Sequence, residues 1–227
     1  MRLYIRGSSF KAIVFDLDGT LYPRETYISA YYDFTLHALG ELLHYGRKDA
    51  EEALRKENIS GDPKAKQGSV SSLMVRLGVP IDFWNKYRDE KFALSRLVSY
   101  DPELEEGVRR LGSSYHLAIV TNNTLITTKN ILAKLGLADA DFSLIITSDS
   151  ELSVKPISKC FIHVAERLTI SPHAMLSIGD RFKVDIEPLL ALGGSGILVS
   201  GPKEIPLIVE KLCSLTCRGA LSDNNLD

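Results

Sequence analysis

The chain has 227 residues, 44% of them apolar and 25% charged, which is enough to bury a sizeable core and excludes a disordered polymer. A formal net charge of -2 and a pI near 6.2 leave no general basic field for a polyanion, so a nucleic-acid partner is not expected, whereas a small phosphorylated molecule needs only local positive charge. The N-terminal residues lack the apolar core of a signal peptide and no stretch reaches membrane-spanning length, so the expectation is a cytoplasmic protein with no membrane partner.

The first clear element is Lys11 to Phe15, a short run of apolar, branched and aromatic residues that reads as a strand buried on both faces. It runs directly into Asp16-Leu17-Asp18-Gly19-Thr20-Leu21-Tyr22. Residues two apart on an extended chain point the same way, so Asp16 and Asp18 can face one crevice where the strand ends. Two like charges at that spacing are costly unless a cation lies between them or one holds a proton.

Some eighty residues of helical pattern follow: Tyr27 to Tyr45, Asp49 to Glu57, Val70 to Leu77 and Ile81 to Leu97, with a loop at Ser60-Gly61-Asp62-Pro63. Four helices without a strand make a small bundle. From Asp101 the pattern alternates. Helices are expected over Glu103 to Leu111, Leu125 to Leu135, Ile157 to Leu168 and Ile186 to Leu192, with a last one from Pro206. The strands between them are Leu117 to Val120, Leu144 to Ile146, Ala174 to Ile178 and Gly196 to Val199. Strands separated by helices imply an α/β fold with a parallel sheet covered on both faces. The expected division is a core of residues 1–21 and 101–227 with a helical module, residues 22–100, inserted after the first strand. In open parallel sheets ligands bind beyond the carboxyl ends of the strands, so such a module is placed to act as a lid.

Each later strand also ends in polar residues: Thr121, Asn122 and Asn123; then Thr147, Ser148 and Asp149, with Lys155-Pro156 beyond; then Gly179-Asp180, with Asp185 five residues on. Taken singly these are ordinary turns or caps, and an Asp ahead of an apolar helix is an ordinary N-cap. At successive strand ends, a hydroxyl, a fixed cation and further carboxylates would converge on the crevice of Asp16 and Asp18. Cys160, Cys213 and Cys217 form no zinc-type spacing and read as small buried side chains, and the five histidines show no two-ligand metal pattern.

The D-L-D-G-T-L of 16 to 21, the V-T-N of 120 to 122, the K-P of 155 and 156 and the G-D-x-x-x-x-D of 179 to 185 resemble, in order and approximate spacing, the four motifs of the haloacid dehalogenase-like hydrolases. The resemblance covers nearly the whole chain. It implies a Rossmann-like three-layer core with an inserted α-helical cap, and a magnesium-dependent phosphatase acting on a small phosphorylated metabolite. It assigns Asp16 as nucleophile, Asp18 as general acid and then base, and Thr121, Asn122 and Lys155 as the phosphate-holding groups. Mg²⁺ would be held by the Asp16 carboxylate, the Asp18 backbone carbonyl and Asp180, with Asp185 in support.

A dehalogenase of the same family typically lacks an acid two places after the nucleophile, so Asp18 favours phosphoryl transfer. A phosphomutase would keep all four motifs. A signalling receiver domain also gathers acids, a hydroxyl and a lysine at strand ends, but the helical insertion makes this chain much longer. Tyr22, Arg24, Tyr31, Trp84 and Arg88 are candidates to touch a leaving group, although aromatic residues at helical spacing more often form bundle core. Monomer and homodimer are both compatible with the sequence.

Overall fold

A computed structural model describes residues 1–7, 9–62, 65, 68–150 and 158–212. The chain divides into two units, Met1–Pro23 with Val98–Asp227, and Arg24–Leu97. It begins with β1 (Arg2–Tyr4) and β2 (Ala12–Phe15), then leaves the sheet for α1 (Ile28–Leu43), α2 (Arg47–Lys56), α3 (Val70–Arg76) and α4 (Ile81–Lys91). On its return it forms α5 (Pro102–Gly112), β3 (His116–Val120), α6 (Leu125–Lys134), β4 (Leu144–Ile146) and α7 (Ser158–Leu168). The remaining elements are β5 (Met175–Gly179), α8 (Glu187–Ala191), β6 (Ser195–Leu198) and helical residues 205–212. Among the described residues no helix is long and apolar enough to cross a membrane.

The six strands make one sheet in the order β1-β6-β5-β2-β3-β4, parallel except for β1, which runs antiparallel to β6 with Arg2 opposite Leu198. This is the expected α/β architecture. The β1 edge is the addition: three partly or fully exposed residues carry no alternating pattern from which a strand can be read.

All four β2 residues are at most 1% exposed, which accounts for a strand without polar alternation. Ala12 and Val14 pack on the face covered by Phe161 and Val164 of α7, together with the buried Cys160. Ile13 and Phe15 point to the opposite face by the two-residue alternation of a strand. Helix α5 begins at Pro102, where the Asp101 carboxylate accepts the N–H groups of Glu103 and Leu104, and it buries Leu104, Val108 and Leu111.

The helical unit has its own core. Trp84 is fully buried, with its ring 5.9 Å from Phe34 and its indole N–H donating to Ser71 Oγ at 3.2 Å. Tyr87 donates to Glu41 at 2.7 Å, and partial burial together with that bond pushes its phenol up to about 12. The helix expected over Ile81 to Leu97 stops at Lys91. Phe92 takes extended geometry and stacks on Phe34 at 5.0 Å, and a short 3₁₀ turn covers Leu94–Leu97. An aromatic contact made across the unit overrides the local helical pattern.

Candidate active site

The sheet register brings the expected residues to one edge. Phe15 lies opposite Ile119 of β3 and Ile178 of β5, so Asp16, Thr121 and Asp180 leave their strands at the same carboxyl end. Strand β2 is the point where the order reverses, with β3 on one side and β5 on the other, which is where open α/β sheets leave a crevice.

A tight turn shapes the first motif. Leu21 N–H bonds to the Leu17 carbonyl at 3.0 Å, Gly19 adopts φ 80°, a value only glycine takes without strain, and Thr20 donates its hydroxyl to Asp16 Oδ2 at 3.1 Å. Leu17 is fully buried beneath the turn. The intervening residue therefore anchors the loop while the two acids are presented from it.

Asp16, Asp180 and Asp185 each offer a carboxylate oxygen, and these three atoms lie within 4.8 Å of one another. Asp185 is placed by a π-helical turn, Phe182–Ile186, that precedes α8. Its carboxylate accepts the Arg181 backbone N–H at 2.9 Å, and its carbonyl accepts the Ser177 hydroxyl at 2.6 Å. A Cβ on Gly179 would stand 2.7 Å from Asp185 Cγ, so glycine is what admits the carboxylate to the strand end. The helix expected from Ile186 thus starts earlier, as a π turn. Its N-cap position before α8 is Ile186, with no side-chain cap, and Asp185 is turned back into the cluster.

Arg181 lies 3.7 Å from Asp180 and 3.9 Å from Asp185. Among the described residues, the Arg181 guanidinium stands beside this group of three carboxylates. The donor set is oxygen only and fits a hard divalent cation of the magnesium type.

Asp18 has different neighbours. Asn123 donates its side-chain N–H₂ to both Asp18 oxygens at 2.9 Å, and the Tyr22 hydroxyl donates to Asp18 Oδ1. The Asn123 backbone N–H in turn bonds to Thr121 Oγ at 3.2 Å, so the buried threonine hydroxyl is tied to the same group. Asn122, expected at the phosphate, is half-buried, and it is the following asparagine that reaches Asp18. Thr20 lies inside the first motif, Tyr22 is expected at a leaving group and Asn123 at a strand end, and the structure gives them hydrogen bonds to Asp16 and Asp18 that the motifs do not assign. The double Asn after Thr121, and a tyrosine four residues after Asp18 across a tight turn, are the signals that point to two of them.

The Thr147 hydroxyl donates to Asp149 at 2.6 Å, and Asp149 accepts the Leu125 N–H at 3.0 Å at the start of α6. This strand end serves as a cap. Lys155 and Pro156 lie outside the described residues.

The haloacid dehalogenase-like hydrolase family matches residues 10–193. The chain is 29% identical over 178 residues to a phosphoglycolate phosphatase of Nitrosospira multiformis, covering 75% of this chain and 74% of that one. It is 31% identical over 177 residues to a phosphoglycolate phosphatase of Neisseria gonorrhoeae, covering 75% and 72%. Its fold is similar to the crystal structure of a haloacid dehalogenase-type phosphatase from Thermococcus onnurineus, with a TM-score of 0.59 at 22% identity over 84% of this chain and 86% of that one. With a match that starts ahead of the first acidic motif and ends beyond the last, the chain belongs to the haloacid dehalogenase-like hydrolases.

Proposed function

We propose that this hydrolase is a phosphomonoesterase that removes phosphate from a small metabolite through an aspartyl-phosphate on Asp16, with magnesium as its cation. The observation that carries this reading is the pairing of the Asp16–Asp180–Asp185 cluster with a separately held Asp18 two residues away. The phosphatases among its relatives support the reaction type.

Residues Asp16, Asp180 and Asp185, with the Asp18 carbonyl, would hold the cation. A carboxylate and a phosphate about 4 Å apart repel by about 4 kcal/mol at an effective dielectric near 20, and a divalent cation supplies the compensating charge. The Asp16 carboxylate oxygen attacks phosphorus in line, and the bond from phosphorus to the ester oxygen breaks. Asp18 gives its proton to that leaving oxygen. Water then attacks phosphorus, the bond to Asp16 breaks, and Asp18 takes a proton from the water, releasing inorganic phosphate.

Asn123 and Tyr22 fix the direction of the Asp18 carboxyl group through these steps. The Thr121 hydroxyl and backbone N–H groups of its loop hold phosphoryl oxygens as charge develops, with Lys155 as the cationic partner. Phosphoglycolate, named for two of the relatives, and small sugar phosphates are the substrates to try first. The test is phosphate release over a panel of such esters with and without Mg²⁺. Magnesium-dependent release from at least one ester is expected, and no release from any ester in either condition would overturn the proposal. An isomerised sugar phosphate formed without free phosphate would assign a mutase instead.

A further inference from the structure

We propose that Asn85 and Arg88 form an oxyanion-recognition site in the helical unit, taking a carboxylate or phosphate group of a small anionic metabolite. The two residues are three apart on α4, so their side chains share one face. They are 4% and 7% exposed. Among the described residues, the buried atoms Asn85 Oδ1, Arg88 Nε and Arg88 Nη2 meet no hydrogen-bond partner, and the carboxylate of Asp89 stands 3.9 Å from Arg88 Nε, outside hydrogen-bonding distance.

A guanidinium edge withdrawn from water without hydrogen bonds is unfavourable, and buried polar groups in folded proteins are as a rule met by protein, water or ligand. Nε and Nη2 form one edge of the guanidinium plane. Their parallel N–H bonds match two oxygens of a carboxylate or phosphate, a geometry a lysine cannot supply. The Asn85 amide, one turn earlier, can donate to the same anion or accept a hydroxyl beside it. The rest of α4 is ordered around this pair by Trp84, whose ring is locked in the core of the unit.

The occupant inferred from this chemistry is a free small anion bound within the helical unit. Trp84 is the single tryptophan of the chain and neighbours Asn85, so its fluorescence reports occupancy. The full chain, freed of metal, is titrated with malonate and with inorganic phosphate. A saturable change is expected for at least one, weakened about tenfold or more in Arg88→Met, with Arg88→Lys between the two. The melting temperature of Arg88→Met is expected not to fall, because no protein hydrogen bond from those nitrogens is lost. Equal affinity in Arg88→Met and the parent, or no saturable response to either anion in the parent, overturns the site.

Absence of turnover on every ester, with Arg88-dependent binding intact, sinks the phosphatase reading and leaves this site standing.

Discussion

Asp16 and Asp18 are separated by one leucine, yet Asp16 shares its surroundings with the carboxylates of Asp180 and Asp185, while Asp18 is gripped by an amide and a phenol. The same side chain on the same loop is given two environments by the strands on either side: β5 delivers acids to Asp16, and β3 delivers Asn123 to Asp18. Crowded carboxylates call for a cation, whereas neutral donors call for none and leave a carboxyl group oriented for proton exchange. Environments that differ in this way are how one residue type performs two jobs in one site.

Substitutions can break this contrast. Asp16→Asn removes the attacking oxygen, and steady-state turnover is expected to fall about a thousandfold or more while the melting temperature stays near that of the parent. Turnover within a few-fold of the parent would place the nucleophile elsewhere. Chelation with EDTA tests the acid-rich side: phosphate release should be lost and then restored by added Mg²⁺, and activity that persists in chelator would remove the cation from the scheme. Asp18→Asn tests the other side, with a loss of about 10² to 10⁴ expected from the missing proton transfer.

Sharper tests lie in the donors. Asn123→Ala removes both amide bonds to Asp18, and kcat is expected to drop about tenfold to a hundredfold on alkyl phosphates. The drop should be smaller on p-nitrophenyl phosphate, whose leaving group needs little protonation. An equal loss on both substrates would mean that Asn123 supports the fold instead of aiming Asp18. Tyr22→Phe removes one hydroxyl, and the same leaving-group dependence is expected with a loss of about tenfold or less.

Much of this molecule is legible in its residues, for reasons that can be traced. Lys11 to Phe15 reads as a doubly buried strand because its apolar run is uninterrupted, and β2 is covered on both faces. Helix α5 announces itself through Asp101, Pro102 and an apolar stripe. The edge strand β1 was invisible because three largely exposed residues carry no period. The end of α4 was misplaced because Phe92 follows the ring of Phe34 and not its own neighbours. The π turn at Phe182–Ile186 escaped for a related reason: it is held by Arg181, Ser177 and the absence of a side chain at Gly179, none of which alters the helical pattern of the segment.

By itself the chain determined the alternation of strands and helices, the acids at strand ends and the order of the motifs, since these depend on hydrophobic period and on residues close together along the backbone. Only the tertiary structure decided that Asp185 joins Asp16 and Asp180 instead of capping a helix, and that Asn123, 105 residues from Asp18, is the asparagine that holds it. Such partnerships are set by the parallel register of β2 with β3 and β5 and by the turns at their ends, and a hydrogen bond between two polar side chains leaves no periodic trace in the residues that make it.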